Sequence, residues 1–311
     1  MTDPRRLTLI LNGKAAQQKN VQDSVSAIAR QGHRIDVKVT ESPGDGERFS
    51  REAVKAARRG EIETIVAGGG DGTLNAVVGG ALEADTDPAC SFALMPLGTA
   101  NDFARNAGIP VDPAQALDIA LTAPARATDV ASLKFDDGQK PRPFINMATA
   151  GFGPRVTSEA DPDLKARIGG AAYLLSALAR IGEVTPWSGR IRADGFSWEG
   201  SFAALAIGNG RRAGGGVELC PLAELDDGAL DLTVIEAPEG DVLAGLLSSL
   251  PLAVGLKPDS VIRARASSFE VETDSPIPVS LDGEMLEASR FTLSVRQHAI
   301  RFHLPDQPPP R

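Results

Sequence analysis

Thr64-Ile65-Val66-Ala67-Gly68-Gly69-Gly70-Asp71-Gly72-Thr73-Leu74 is the stretch on which the fold turns. A short apolar run bounded by glycines suits a buried strand. It passes straight into Gly68-Gly69-Gly70-Asp71-Gly72-Thr73, after which residues 74–82 read as a helix. Strand, glycine turn and helix in that order form half of a βαβ unit. Glycines let the backbone approach an anion closely, and the free N–H groups of the turn and of the helix start then point at phosphate. An acid in such a loop repels phosphate unless a metal ion lies between them or the acid orients an attacking group. Two readings stay open from spacing alone. The turn cradles phosphate, or it is a tight strand-to-helix turn with Asp71 capping its own helix.

Working outward, the same alternation repeats on both sides. Residues 7–11 form a strand ending at Asn12-Gly13-Lys14. Val21, Val25, Ile28 and Ala29 follow helical spacing, with Gly32 as the stop. Ile35, Val37 and Val39 alternate as a strand ending at Thr40, and Phe49, Ala53, Ala56 and Ala57 mark a helix stopped by Gly60. Residues 91–95 are a fourth strand, a helix opens near Asn101, and Asp112-Pro113 caps one more to about Leu121. Strands separated by helices predict a parallel sheet, in which ligands bind beyond the carboxyl ends of the strands. Asn12–Lys14, Thr40, Gly68–Thr73 and Gly98–Asp102 occupy those ends. Pro96-Leu97-Gly98-Thr99-Ala100-Asn101-Asp102-Phe103-Ala104-Arg105 therefore stands beside the first glycine loop. Thr99 could bond phosphate there, or the segment could be an ordinary helix cap. Two loops converging on one place matter more than either alone.

The pattern changes near Ala127. Runs at 203–207, 230–235, 268–272, 278–281 and 291–295 alternate between turn residues, which predicts an antiparallel β-rich domain, a sandwich. The predicted division is 1–126, 127–304 and a Pro-rich tail at 305–311. A helical stretch at 164–181 interrupts the β pattern, and its apolar and basic residues suit either a core-facing helix or a membrane contact. Asp226-Asp227-Gly228, near Glu224 and Asp231, suits a hard cation or a solvated turn. Leu281-Asp282-Gly283-Glu284 is a hairpin signal, from which Glu284 could project as a base. Gly208-Asn209-Gly210-Arg211-Arg212-Ala213 matches a loose dinucleotide pattern, but no helix follows, and it reads as a flexible loop. His33, His298 and His303 show no ligand spacing, and Cys90 and Cys220 read as buried thiols.

Composition bounds the partners. The chain is 42% hydrophobic and 23% charged, ordinary for a globular protein. A formal net charge of −9 over 311 residues, with no dense basic block, argues against nucleic acid. The N-terminal residues lack a signal-peptide run, and the apolar stretch 243–256 is broken by Ser248, Ser249 and Pro251, so it reads as a core element. A cytoplasmic protein is expected.

Together the two glycine motifs resemble those of the diacylglycerol-kinase catalytic family, the second more specifically than the first, whose form also occurs in NAD kinases and phosphofructokinases. Leu11-Asn12-Gly13-Lys14, Phe144-Ile145-Asn146-Met147-Ala148-Thr149, Gly151-Phe152-Gly153, Gly208-Asn209-Gly210-Arg211, Leu219-Cys220-Pro221 and Leu281-Asp282-Gly283-Glu284 are similar to the YegS-like bacterial lipid kinases. The resemblance implies a Rossmann-like α/β nucleotide domain of the NAD-kinase and diacylglycerol-kinase type, a C-terminal antiparallel β-sandwich, and an active site between them. It implies ATP as phosphoryl donor, a lipid hydroxyl as acceptor, and transient membrane contact. It also implies that Thr40, Gly70, Asp71, Gly72, Thr73, Leu74, Asn75, Ala76 and Thr99 contact ATP, and that Glu284 accepts the proton; Asp71, from its place in the glycine loop, is the second candidate catalytic acid. The family's Mg²⁺ stretch falls on Glu224, Asp227 and Ala229, with Ca²⁺ as the other candidate for that structural site. Glu224 and Ala229 depart from the usual apolar side chains there, a change that a backbone-carbonyl ligand survives, which leaves Asp227 as the firm side-chain ligand; an acid often stands where Ala76 does. An NAD kinase and a catalytically idle nucleotide sensor are the alternative readings. The acids Asp71, Asp227 and Glu284 favour an enzyme.

Overall fold

The computed structural model describes residues 4–85, 88–151, 186–237 and 261–306. The predicted helix at 164–181 and the apolar stretch at 243–256 lie outside these. The chain divides into two compact units, Met1–Val130 with Gln297–Arg311, and Ala131–Arg296.

In the first unit four strands, β1 (Arg6–Asn12), β2 (Arg34–Thr40), β3 (Thr64–Gly69) and β4 (Ser91–Pro96), pair in the order β2-β1-β3-β4, all parallel. Helices α1 (Lys19–Arg30), α2 (Asp45–Arg58), α3 (Asp71–Ala84), α4 (Asp102–Ala107) and α5 (Pro113–Thr122) lie between or after them. Every residue of β3 is buried, as a strand covered on both faces must be. Asp112 caps α5 by accepting from the Gln115 N–H at 3.0 Å, with Pro113 at the first helical position.

A fifth parallel partner arrives from the far end of the sequence. The last strand pairs Arg301 with Ser91 and Phe302 with Phe92 of β4, and Phe302 packs on Phe103 with ring centroids 5.1 Å apart. This is why the first unit reclaims residues 297–304, which the sequence pattern placed in the second domain. His303, to which the sequence gives no role, is buried here. Its Nδ1 faces the Ala123 carbonyl at 2.7 Å and its Nε2 the Ser91 hydroxyl at 2.8 Å. Those neighbours fix the tautomer protonated on Nδ1, and burial pushes the ring's pKa below its ordinary value.

The second unit is built from antiparallel pairings. β5 (Ala125–Phe135) leads in from the first unit and pairs with β6 (Arg142–Phe144). β7 (Met147–Gly151), β8 (Trp187–Ala193) and β9 (Phe196–Gly208) follow, then a small ribbon of β10 (Arg212–Ala213) and β11 (Val217–Glu218). β12 (Leu230–Glu236), β13 (Val261–Ala266), β14 (Ser268–Leu281) and β15 (Glu284–His303) complete it. The order runs β13-β12-β9-β7-β14-β15, and β8 pairs with both β9 and β14. Phe144, Phe202, Phe269, Phe291, Ile191 and Leu232 anchor its core. The two short runs expected at 268–272 and 278–281 are one strand. The register shifts between Glu272 and Ile277, where Pro276 and its polar neighbours sit at an irregularity that tolerates a missing N–H.

Candidate active site

The first unit brings the two glycine loops into contact. β3 and β4 are neighbours, Gly69 opposite Pro96, and the Leu97 N–H bonds the Gly69 carbonyl at 2.8 Å. A side chain on Gly98 would place its Cβ 2.5 Å from the Gly70 Cα, so Gly98 must be glycine for backbone to pass backbone. Asn101, in left-handed conformation at φ 49°, folds its amide back onto Gly98, accepting from the Gly98 N–H at 2.9 Å and donating to its carbonyl at 2.8 Å. That leaves the first N–H groups of α4 without a cap from their own segment.

Asp71 supplies it. Its two carboxylate oxygens accept from the Asp102 and Phe103 N–H groups, each at 3.0 Å. The sequence offered Asp71 as a cap for its own helix; the structure has it cap the neighbouring loop's helix, because α3 begins at Asp71 and takes Gly70 as its N-cap. Thr40 ends β2 beside Asn12. Gly72 and Thr73 lie in the first turn of α3, Leu74 and Asn75 are buried, and Ala76 faces Gly46 of α2. Thr99 is exposed in the second loop. The Asn75 Oδ1 is buried with no hydrogen-bond partner among the described residues. An orphaned acceptor there fits a ligand that donates to it.

The second unit builds its own cluster around Asp282. Asp282 and Gly283 form a two-residue hairpin loop with φ of 48° and 96°, the left-handed pair of a type I′ turn. The Asp282 carboxylate accepts from the N–H groups of Ile145 (2.7 Å), Asn146 (3.1 Å) and Met147 (2.8 Å). Asn146 in turn receives the Asn209 and Gly210 N–H groups on its carbonyl, and the Asn209 amide donates to the Ile145 carbonyl. The segment at 208–213, expected as a flexible loop, is thus bonded through its backbone, and the Arg211 carbonyl accepts from both Leu219 and Cys220. No sequence signal marked Asp282 as more than a turn residue. Glu284 opens β15 just beyond; its side chain is half exposed and its nearest basic partner is Arg142 at 3.9 Å.

The acid-rich turn lies at 224–229. The Asp227 Oδ1 accepts from the Ala229 N–H at 3.0 Å, and its Oδ2 pairs with Arg265. Asp231 is buried, its Oδ2 has no hydrogen-bond partner among the described residues, and Arg265 Nε lies 3.9 Å away. Burial, then the Glu224 carboxylate, pushes the Asp231 pKa up to about 6. Among the described residues no group of three or more His, Cys, Asp or Glu is placed to hold a metal. Two carboxylates, one with an orphaned oxygen, nevertheless fit a hard cation whose other ligands are carbonyls or water. The sequence placed Asp231 near this turn but missed Arg265, which reaches it only through the pairing of β12 with β13. Cys220 is buried, its thiol pushed up to about 12 by desolvation.

Residues 6–133 match the diacylglycerol kinase catalytic domain, and residues 146–303 match the YegS C-terminal NAD kinase beta sandwich-like domain. The chain belongs to the YegS-like family. A Pseudomonas fluorescens protein named "Probable lipid kinase YegS-like" is 44% identical over 98% of this chain and 97% of its own. A Xanthomonas oryzae protein of the same name is 39% identical over 98% of each. The crystal structure of a diacylglycerol kinase from Bacillus anthracis superposes with a TM-score of 0.77, covering 98% of this chain and 99% of that one at 22% identity, a likeness of fold. Both support an α/β catalytic domain followed by a β-sandwich domain. Among the described residues no helix is long and apolar enough to cross a membrane.

Proposed function

We propose that this chain is a lipid kinase that transfers the γ-phosphoryl group of ATP to a lipid hydroxyl, of the diacylglycerol or phosphatidylglycerol kind. The observation that carries the reading is the pair of glycine loops held together by Asp71 on neighbouring strand ends, in a chain with near-full-length YegS-like relatives. In this reading the first unit is a Rossmann-like nucleotide domain and the protein works in the cytoplasm, touching the membrane transiently. The Gly70–Thr73 turn and the start of α3 supply N–H groups to the phosphates. Thr40, Leu74, Asn75, Ala76 and Thr99 complete the nucleotide contacts. Asp71 positions the two loops. Asp227, with the carbonyls of Glu224 and Ala229, would hold Mg²⁺, or Ca²⁺, in a structural role, and a bound Mg²⁺ supplies charge neutralisation to the phosphates.

Glu284 is the base. The acceptor oxygen forms a bond to the γ-phosphorus, the bridging bond to the β-phosphate breaks, and ADP leaves with the electron pair. The acceptor's proton goes to a Glu284 carboxylate oxygen, which is exposed and held next to a rigid turn. Phosphoryl transfer asks little more of the protein than position and charge. The test is incubation with labelled ATP, Mg²⁺ and vesicles of diacylglycerol or phosphatidylglycerol, with NAD as control. Label should appear in lipid. NADP as the main product, with unlabelled lipid, would overturn the reading.

A further inference from the structure

The acid turn carries a positive charge of its own. Arg265 stands directly opposite Asp231 in the β12–β13 register, so both side chains leave the same face of the sheet. Its Nη2 pairs with the Asp227 Oδ2, and its Nε stands 3.9 Å from the Asp231 Oδ2. The two carboxylates are nearly enclosed, at 16% and 9% exposure, whereas the arginine side chain is 48% exposed.

We propose that Arg265 is a built-in counter-cation, and that a divalent ion enters the turn by displacing its guanidinium from Asp227 and Asp231. This rests on the reading of Asp227 as a cation ligand. It also adds Asp231 to that site. The competition is for one atom. The Asp227 Oδ1 is already committed to the Ala229 N–H, so Oδ2, the oxygen Arg265 uses, is the one through which a cation would bind. The arginine serves the two acids unequally. It bonds Asp227, but 3.9 Å from Asp231 gives charge compensation without a hydrogen bond. The Asp231 Oδ2 stays buried and unsatisfied, a cost that direct coordination removes. Departure of the arginine is cheap. Its long stem is half in water, and a partly exposed ion pair is weakly held.

The consequence is a site set for high cation concentration. Without divalent ions the arginine offsets part of the acids' charge and the turn keeps its shape. With them, the ion must outcompete a tethered charge, which raises the concentration needed for half-saturation.

Calorimetric titration of the full chain with Mg²⁺, and separately with Ca²⁺, tests this in wild type, Arg265→Gln, Arg265→Lys and Asp227→Asn. Arg265→Gln should bind about tenfold more tightly, since a unit positive charge beside the site is removed. Arg265→Lys keeps the charge and should stay within about twofold of wild type. Asp227→Asn should lose most binding. In wild type, modification of Arg265 by phenylglyoxal, read by mass spectrometry, should quicken when Mg²⁺ is added, an outcome that needs no variant to fold. Loss of binding in Asp227→Asn, with Arg265→Gln equal to or weaker than wild type and unchanged labelling, overturns displacement and leaves the cation reading standing. Binding unaffected by Asp227→Asn overturns both.

Discussion

Asp71-Gly72 of the first unit and Asp282-Gly283 of the second unit are the same dipeptide, and each fastens a distant segment by its backbone. The difference lies in what stands beside them. Asp71 takes two N–H groups of the adjacent loop and so joins the two glycine loops. Asp282 takes three, and holds the turn from which the exposed Glu284 departs. In both places the acid nearest the glycine is architecture. Beside Asp282, the Glu284 carboxylate is left half exposed, with Arg142 at 3.9 Å. An acid in a glycine motif therefore cannot be assigned a catalytic duty from the motif alone.

Asp282→Ala should break the comparison most severely. It strands three N–H groups of buried residues, which at roughly 1–3 kcal/mol for an unsatisfied group should cost about 3 kcal/mol or more. Both tryptophans, Trp187 and Trp198, lie in that unit, so urea unfolding followed by tryptophan fluorescence reads it directly; an unchanged midpoint would deny Asp282 its role. Glu284→Gln should do the opposite, lowering kcat at least about a hundredfold with the unfolding midpoint unmoved. A variant retaining most of its kcat would return Asp71 to candidacy as the base. Asp71→Asn keeps one acceptor oxygen and loses a charge-assisted bond, worth about 1–2 kcal/mol. Amide exchange at residues 102 and 103 should speed up while turnover falls; unchanged protection there would show that Asp71 does not hold the second loop.

The smallest effect sharpens the first unit's other anchor. The buried ring of His303 has its pKa below the ordinary value, through desolvation first and the charges of Arg5 and Arg301 after it, against the Ala123 bond. Ser91 and Thr64 face its Nε2. The unfolded chain titrates near about 6.5, so the native state binds fewer protons in the window below that. Stability is full above about pH 6.5 and is lost as pH falls through the lower native value. Melting temperatures between pH 7.5 and 5 should therefore slope more steeply in wild type than in His303→Gln; parallel slopes would mean that the ring does not titrate with folding.

Strand and helix order in the first unit was legible because β1, β3 and β4 are mostly apolar runs that end at or just before glycine or proline, and because Asp112-Pro113 announces a helix without help from tertiary contacts. The Asp282-Gly283 turn was legible for the same local reason. What could not be read was anything resting on register. Asp231 opposite Arg265, the bulged continuity of β14, and the pairing of Arg301 and Phe302 with β4 depend on which strand lies beside which. The role of Asp71 was hidden similarly: capping α4 requires knowing that Asn101 turns its own side chain onto Gly98.

The late arrival of the strand ending at His303 bears on how the protein is made. A ribosome that has released residues 1–130 has delivered four strands of the first sheet but not the fifth, whose Phe302 covers Phe103. Until residues 301–302 emerge, the outer edge of β4 and an aromatic face stay open, inviting mispairing with another nascent chain. The second unit, made of one contiguous segment, has no such wait. Synthesis order and folding order thus part company: the half translated first is the half that closes last.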